Sequence, residues 1–119
     1  MPVTVSEILL NIGMTPNLLG YYYAIDLILI RLEYLKDPTK LNDFTMQQQY
    51  EVVAKKYNTS GCAIERSLRT AISIICKVDQ PFLDIICKTG MFNKNKPTNK
   101  NFVCAIAEHI HKLNNTQGE

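Results

Sequence analysis

The 119-residue chain lacks the constellations that most enzymes carry. No paired carboxylates stand at catalytic spacing, no glycine-rich loop is placed to cradle a phosphate, and no nucleophile, base and orienting group form a set, so catalysis is the weakest reading. The four cysteines, Cys62, Cys76, Cys87 and Cys104, show no Cys-x-x-Cys or other metal spacing. His109 and His111 stand two apart on a helix and point to different faces. Neither a metal nor a cofactor is expected. The N-terminus lacks the basic region and apolar run of a signal peptide. The greasiest segment, LLGYYYAIDLILIRLEYL from Leu18, is broken by Asp26, Arg31 and Glu33, which are expensive in a bilayer, so it reads as a buried helix and no membrane partner is expected. No run alternates with period two, no repeat recurs, and no heptads hold a zipper. What remains is an all-α single domain spanning residues 1–119, with reduced thiols in a cytoplasmic setting.

Hydrophobic periodicity predicts six helices. The first runs from Val5 to Ile12 with Gly13 as its stop. The second, from about Asn17 to Lys36, carries Ile25, Leu29, Leu32 and Leu35 on one stripe, widened by Leu18, Tyr22 and Ile28, and suits the centre of a small bundle. The third starts at Thr45, the fourth follows a turn at Asn58–Ser60 and ends near Val78, and a short fifth runs from Asp79-Gln80-Pro81 to about Thr89 before Gly90. Thr98 caps the sixth, whose core stripe is Phe102, Ile106, His109, Ile110 and Leu113. The tail at 114–119 is expected to be disordered.

The stretch Tyr50–Ile75, YEVVAKKYNTSGCAIERSLRTAISII, has the pattern of a helix-turn-helix. Tyr50, Val53, Ala54 and Tyr57 fall at i, i+3, i+4 and i+7, and Ile64, Leu68, Ala71, Ile72 and Ile75 continue the period in the next helix. Asn58 tolerates the left-handed conformation of a helix exit, and Thr59 or Ser60 can accept the orphan amides of the following helix. The opposite face of the second helix presents Cys62, Ala63, Arg66, Arg69, Thr70 and Ser73, a polar face of the kind that enters a major groove. Lys55 and Lys56 stand beside the turn, where phosphate would lie. Glu65 and Arg69, spaced i, i+4, also read as a plain surface ion pair. Charge is uneven: residues 1–49 carry −2 and residues 50–119 carry +4. Lys94, Lys96 and Lys100 surround the KPTN segment, either as a solvated loop or as a contact to phosphate backbone.

The run YEVVAKKYNTSGCAIERSLRTAIS, with GYYYAIDLI from Gly20 and KPTNKNFVCAIAEHIHKL from Lys96, resembles the C-terminal effector domain of the stage-zero sporulation response regulator of endospore-forming bacteria. The likeness extends from about Val5 to Leu113. It implies a bacterial, sequence-specific transcription regulator of six helices, whose fourth helix reads a short box in double-stranded DNA. Two domains would pair on tandem boxes, and the dimer is expected to form chiefly on DNA. It also implies a contact with the RNA polymerase sigma subunit, for which the chain offers no motif. The family pattern implies base and phosphate contacts for Glu65, Arg66 and Arg69. The DNA-binding set is then Lys55, Lys56, Ser60, Cys62, Ala63, Glu65, Arg66, Arg69, Thr70 and Lys96. Two positions depart from that pattern: Ala63 stands where the family has an arginine, and Thr70 where it has a basic residue or histidine. Those departures favour a second reading, a protein-interaction module of the same fold acting as partner or antagonist of a full-length regulator. The receiver domain of such a regulator is absent from the sequence.

Overall fold

The computed structural model describes residues 4–37, 39, 44–77 and 97–117. They form five α-helices and, among the described residues, no strand: α1 (Val5–Asn11), α2 (Leu19–Lys36), α3 (Met46–Tyr57), α4 (Gly61–Cys76) and α5 (Asn99–Gln117). The helix expected between Pro81 and Thr89 lies outside the described residues.

Several of these boundaries have a local cause. Thr4 caps α1 by accepting from the Glu7 amide at 3.3 Å. Gly13, at φ 89°, then ends it, with Gly13 N–H bonded to the Leu10 carbonyl and Met14 N–H to that of Leu9 at 2.9 Å. This pair of bonds is a Schellman exit, which needs a residue able to adopt positive φ. Thr45 and Gln48 close a capping box at the start of α3, with bonds of 3.2 and 2.8 Å. Asn58 leaves α3 in the left-handed region, at φ 55° and ψ 50°, and Ser60 accepts from the Ala63 amide at 3.1 Å to open α4. The expected two-residue signals at this turn therefore carry its geometry. Thr98 accepts from the Asn101 amide at 3.2 Å, as its position ahead of the last apolar stripe predicts.

α2 is the hub, touching each of the other four helices. It approaches α4 closely at Gly20: a Cβ added there would lie 2.6 Å from the Ser67 carbonyl oxygen and 2.7 Å from the Ala71 Cβ. The face of α2 differs from the expected one. Tyr21, Tyr23, Ala24, Leu27 and Ile28 are buried, whereas Leu29 is 47% exposed and Tyr22 45%. α2 is apolar nearly all round, so its period cannot fix its rotation; contact with α4 and α5 does. On α4, by contrast, Ile64, Leu68, Ala71, Ile72 and Ile75 are all buried as the period predicts. In α5 the run Phe102–Ala107 is buried on successive faces, with Ile110 completing the core. α5 also continues through Gln117, four residues past Leu113, so residues 114–117 of the tail expected to be disordered are helical; Asn115 and His111 hydrogen-bond one turn apart at 3.0 Å.

Candidate nucleic-acid interface

The buried stripe of α4 turns its other side outward, and that side holds most of the residues singled out from sequence. Cys62, Arg66, Arg69 and Thr70 are exposed, while Ala63 and Glu65 are half-buried. Ser60 is exposed at the start of the helix, its oxygen occupied by the Ala63 amide and its hydroxyl proton free to donate. Arg69 Nη1 lies 3.1 Å from Glu65 Oε1, so the i, i+4 pair forms. Exposed pairs of this kind contribute little to stability and are readily exchanged for another anion. Arg66 is exposed and has no ion pair among the described residues.

The two lysines beside the turn are not equivalent. Lys55 is exposed and unpaired among the described residues. Lys56 bonds Asp26 of α2 at 3.0 Å and lies 5.4 Å from the centre of the Tyr57 ring. The Asp26 side chain is only 14% exposed, so this ion pair ties α3 to α2 as much as it decorates the surface. Tyr57 in turn meets Tyr23 edge-on at 5.0 Å. Burial, reinforced by the Asp26 carboxylate, pushes the Tyr57 phenol up to about 12. Lys96 lies outside the described residues.

Three residues that matter to this face carry no local sequence signal. Asn99, 9% exposed, sends its Nδ2 to the Glu65 carbonyl at 2.9 Å and to the Tyr50 hydroxyl at 3.3 Å, joining α5 to α4 and α3. Burial raises the Tyr50 phenol while the Asn99 bond opposes that shift. Glu51, held by Gln47 Nε2 at 3.2 Å, packs its carboxylate against Gly61 in the first turn of α4. A side chain at position 61 would collide with that carboxylate, and an anion there is favoured by the helix field. Asp26 is the third, because its partner Lys56 is 30 positions away.

Of the other cysteines, Cys76 is half-buried and Cys104 buried, with burial raising the Cys104 thiol, while Cys87 lies outside the described residues. No group of three or more metal-ligating side chains occurs among the described residues, and none of their helices is long and apolar enough to cross a membrane. The arrangement is that of a polar, cation-bearing helix face backed by an apolar core and flanked by Lys55. In comparison with known protein families, residues 5–110 match the family model described as sporulation initiation factor Spo0A C terminal.

Proposed function

The chain belongs to that family of DNA-binding regulatory effector domains, and on this premise we propose that it recognises duplex DNA by laying α4 in the major groove. In this reading α3, the Asn58–Ser60 turn and α4 act as a helix-turn-helix. Arg66, Arg69, Glu65 and Ala63 meet base edges and nearby phosphates, Cys62 and Thr70 flank them, and Lys55, Lys56, Ser60 and Lys96 hold the backbone. The observation that carries the reading is the division of α4 itself. Ile64, Leu68, Ile72 and Ile75 are buried on one side, and Arg66, Arg69 and Thr70 are exposed on the other.

Within the proposal the cations differ in readiness. Arg66 and Lys55 are free to meet DNA at once. Arg69 exchanges Glu65 for phosphate or base, an exposed exchange of low cost. Lys56 would have to leave Asp26, so its contribution is the smallest of the four. Two domains reading adjacent boxes would add the specificity that one short helix cannot supply, with the pairing contact strengthened by high local concentration on DNA. Contact with the RNA polymerase sigma subunit belongs to the same proposal, as the step that converts binding into activation.

Selection of bound fragments from a random duplex library tests this. Enrichment of one short motif, recurring at fixed spacing, is the expected result. A folded protein that enriches no motif would instead be an interaction module of the same fold.

A further inference from the structure

A cavity of about 160 Å³ opens where the middle of α2 meets the first turns of α3 and α5, away from the outer face of α4. Arg31, Thr45, Gln49, Lys100 and Cys104 line it. Two of these are cations, and neither has an ion pair among the described residues. Arg31 is the more unusual, because its Nε is buried with no hydrogen-bond partner among the described residues. Both charges bear on one place: burial raises the Cys104 thiol, Arg31 and Lys100 draw it down, and the Glu108 carboxylate opposes them with the smallest effect.

The backbone adds to the same field. α3 starts at the cavity, with its capping residue Thr45 in the wall and no acidic side chain in its first turn. Lys100 occupies the first turn of α5, where the helix field disfavours a cation unless an anion is near. Gln49 then supplies an acceptor. It is 4% exposed, its Nε2 donates to the Phe44 carbonyl at 3.0 Å, and its Oε1 is buried without a partner among the described residues. A buried orphan donor on Arg31 and a buried orphan acceptor on Gln49, in one cavity rich in positive charge, are each costly when left empty-handed.

We propose that this cavity binds the tetrahedral oxyanion of a phosphate group, with Arg31 and Lys100 as its counter-charges and Gln49 as acceptor for a proton the anion retains. Small side-chain adjustments bring the two buried orphan atoms to the anion. A protonated phosphate satisfies Gln49, whereas sulfate, an acceptor only, does not. Free inorganic phosphate and the phosphodiester of a DNA backbone share the oxyanion, and only the former keeps a proton. The site stands on the cavity alone and is independent of how α4 reads DNA.

Backbone-amide NMR of the whole chain, titrated with sodium phosphate against sodium chloride at matched ionic strength and neutral pH, tests the site. Phosphate should shift the amides of Met46–Gln49 and Lys100–Cys104 saturably, and sulfate should bind about tenfold more weakly, the worth of one hydrogen bond. Arg31→Gln and the exposed Lys100→Gln should each weaken phosphate binding several-fold, and Gln49→Leu should abolish the preference over sulfate. Adding duplex DNA to the phosphate-saturated protein separates the sources: persistence assigns the cavity to the free anion, whereas displacement assigns it to the unprotonated DNA backbone and overturns the role of Gln49. Shifts that never saturate, or that are unchanged in both Arg31→Gln and Lys100→Gln, overturn the proposal. Equal binding of sulfate overturns the role of Gln49.

Discussion

Asn99, the first residue of α5, donates its side-chain amide to the main-chain carbonyl of Glu65 in α4 at 2.9 Å. The bond fixes α4 about its own axis, because it grips the backbone one turn into the helix whose outer face is the candidate interface. Replacing Asn99 by alanine removes the amide bonded to the Tyr50 hydroxyl and the second donor to this carbonyl, which keeps its bond within α4. The expected loss is about 1–3 kcal/mol of stability, with Tyr50→Phe costing less because only one partner is changed. Urea unfolding of the two variants checks both values. An Asn99→Ala midpoint equal to that of the original chain would show that water replaces the amide at no cost.

Gly20 allows α2 to approach α4. In an exposed helix, Gly→Ala would add about 1 kcal/mol through propensity. Here the new methyl group would meet the Ser67 carbonyl oxygen at 2.6 Å and the Leu68 Cα at 3.2 Å. These are backbone atoms and cannot rotate away. The helices must separate, at a cost of about 1–3 kcal/mol or more, so Gly20→Ala is expected to be destabilising on balance. A higher denaturation midpoint for the variant would mean that the two helices slide apart freely.

His109 gives the fold an acid sensitivity. Burial, with a smaller contribution from Lys112, lowers its pKa below the ordinary 6.5. The unfolded chain therefore takes up this proton first as pH falls. Stability is complete above about pH 6.5 and declines as pH falls through the lowered folded value. His109→Gln should flatten the pH dependence of the urea midpoint between neutral and mildly acidic solution. An unchanged slope would place the acid sensitivity elsewhere.

Ala63 lies in the first turn of α4, half-buried beside exposed Cys62 and Arg66. It offers at most a methyl contact, so the domain should discriminate poorly at the base it faces. Ala63→Arg should recover up to about 1–3 kcal/mol of preference for guanine there, the worth of a bidentate contact. Competition between a selected duplex and its single-base variant reads the change. Identical preferences in the original and the variant would show that position 63 faces no base.

Much of this architecture was written in local pattern. α4 has a narrow apolar stripe, so a 3.6-residue period sufficed to sort Ile64, Leu68 and Ile75 from Arg66 and Arg69. Thr45, Asn58, Ser60 and Thr98 act through neighbours within a few residues, and their roles follow from residue type. α2 is different: with apolar side chains on nearly every face, its rotation is set by the Gly20 contact with α4, and Leu29 is left outside. The tie of Asn99 to Glu65, the pairing of Lys56 with Asp26 and the packing of Glu51 on Gly61 all depend on tertiary proximity. No spacing in the chain announces them. The clamp on Lys56 is the clearest case, since by sequence it is indistinguishable from its free neighbour Lys55.

Whether the outer face of α4 holds duplex DNA is read by fluorescence anisotropy of a labelled duplex titrated at several salt concentrations. Affinity should fall steeply with salt. Loss of a phosphate contact in Arg69→Ala or Lys55→Gln should lower the slope of log affinity against log salt by about 0.9 each, and Lys56→Gln should change it least. Arg66→Ala should weaken the selected sequence more than random DNA. A folded protein that binds no duplex even at low salt, or one whose binding is untouched by Arg66→Ala and Arg69→Ala together, would contradict α4 as the DNA-binding face.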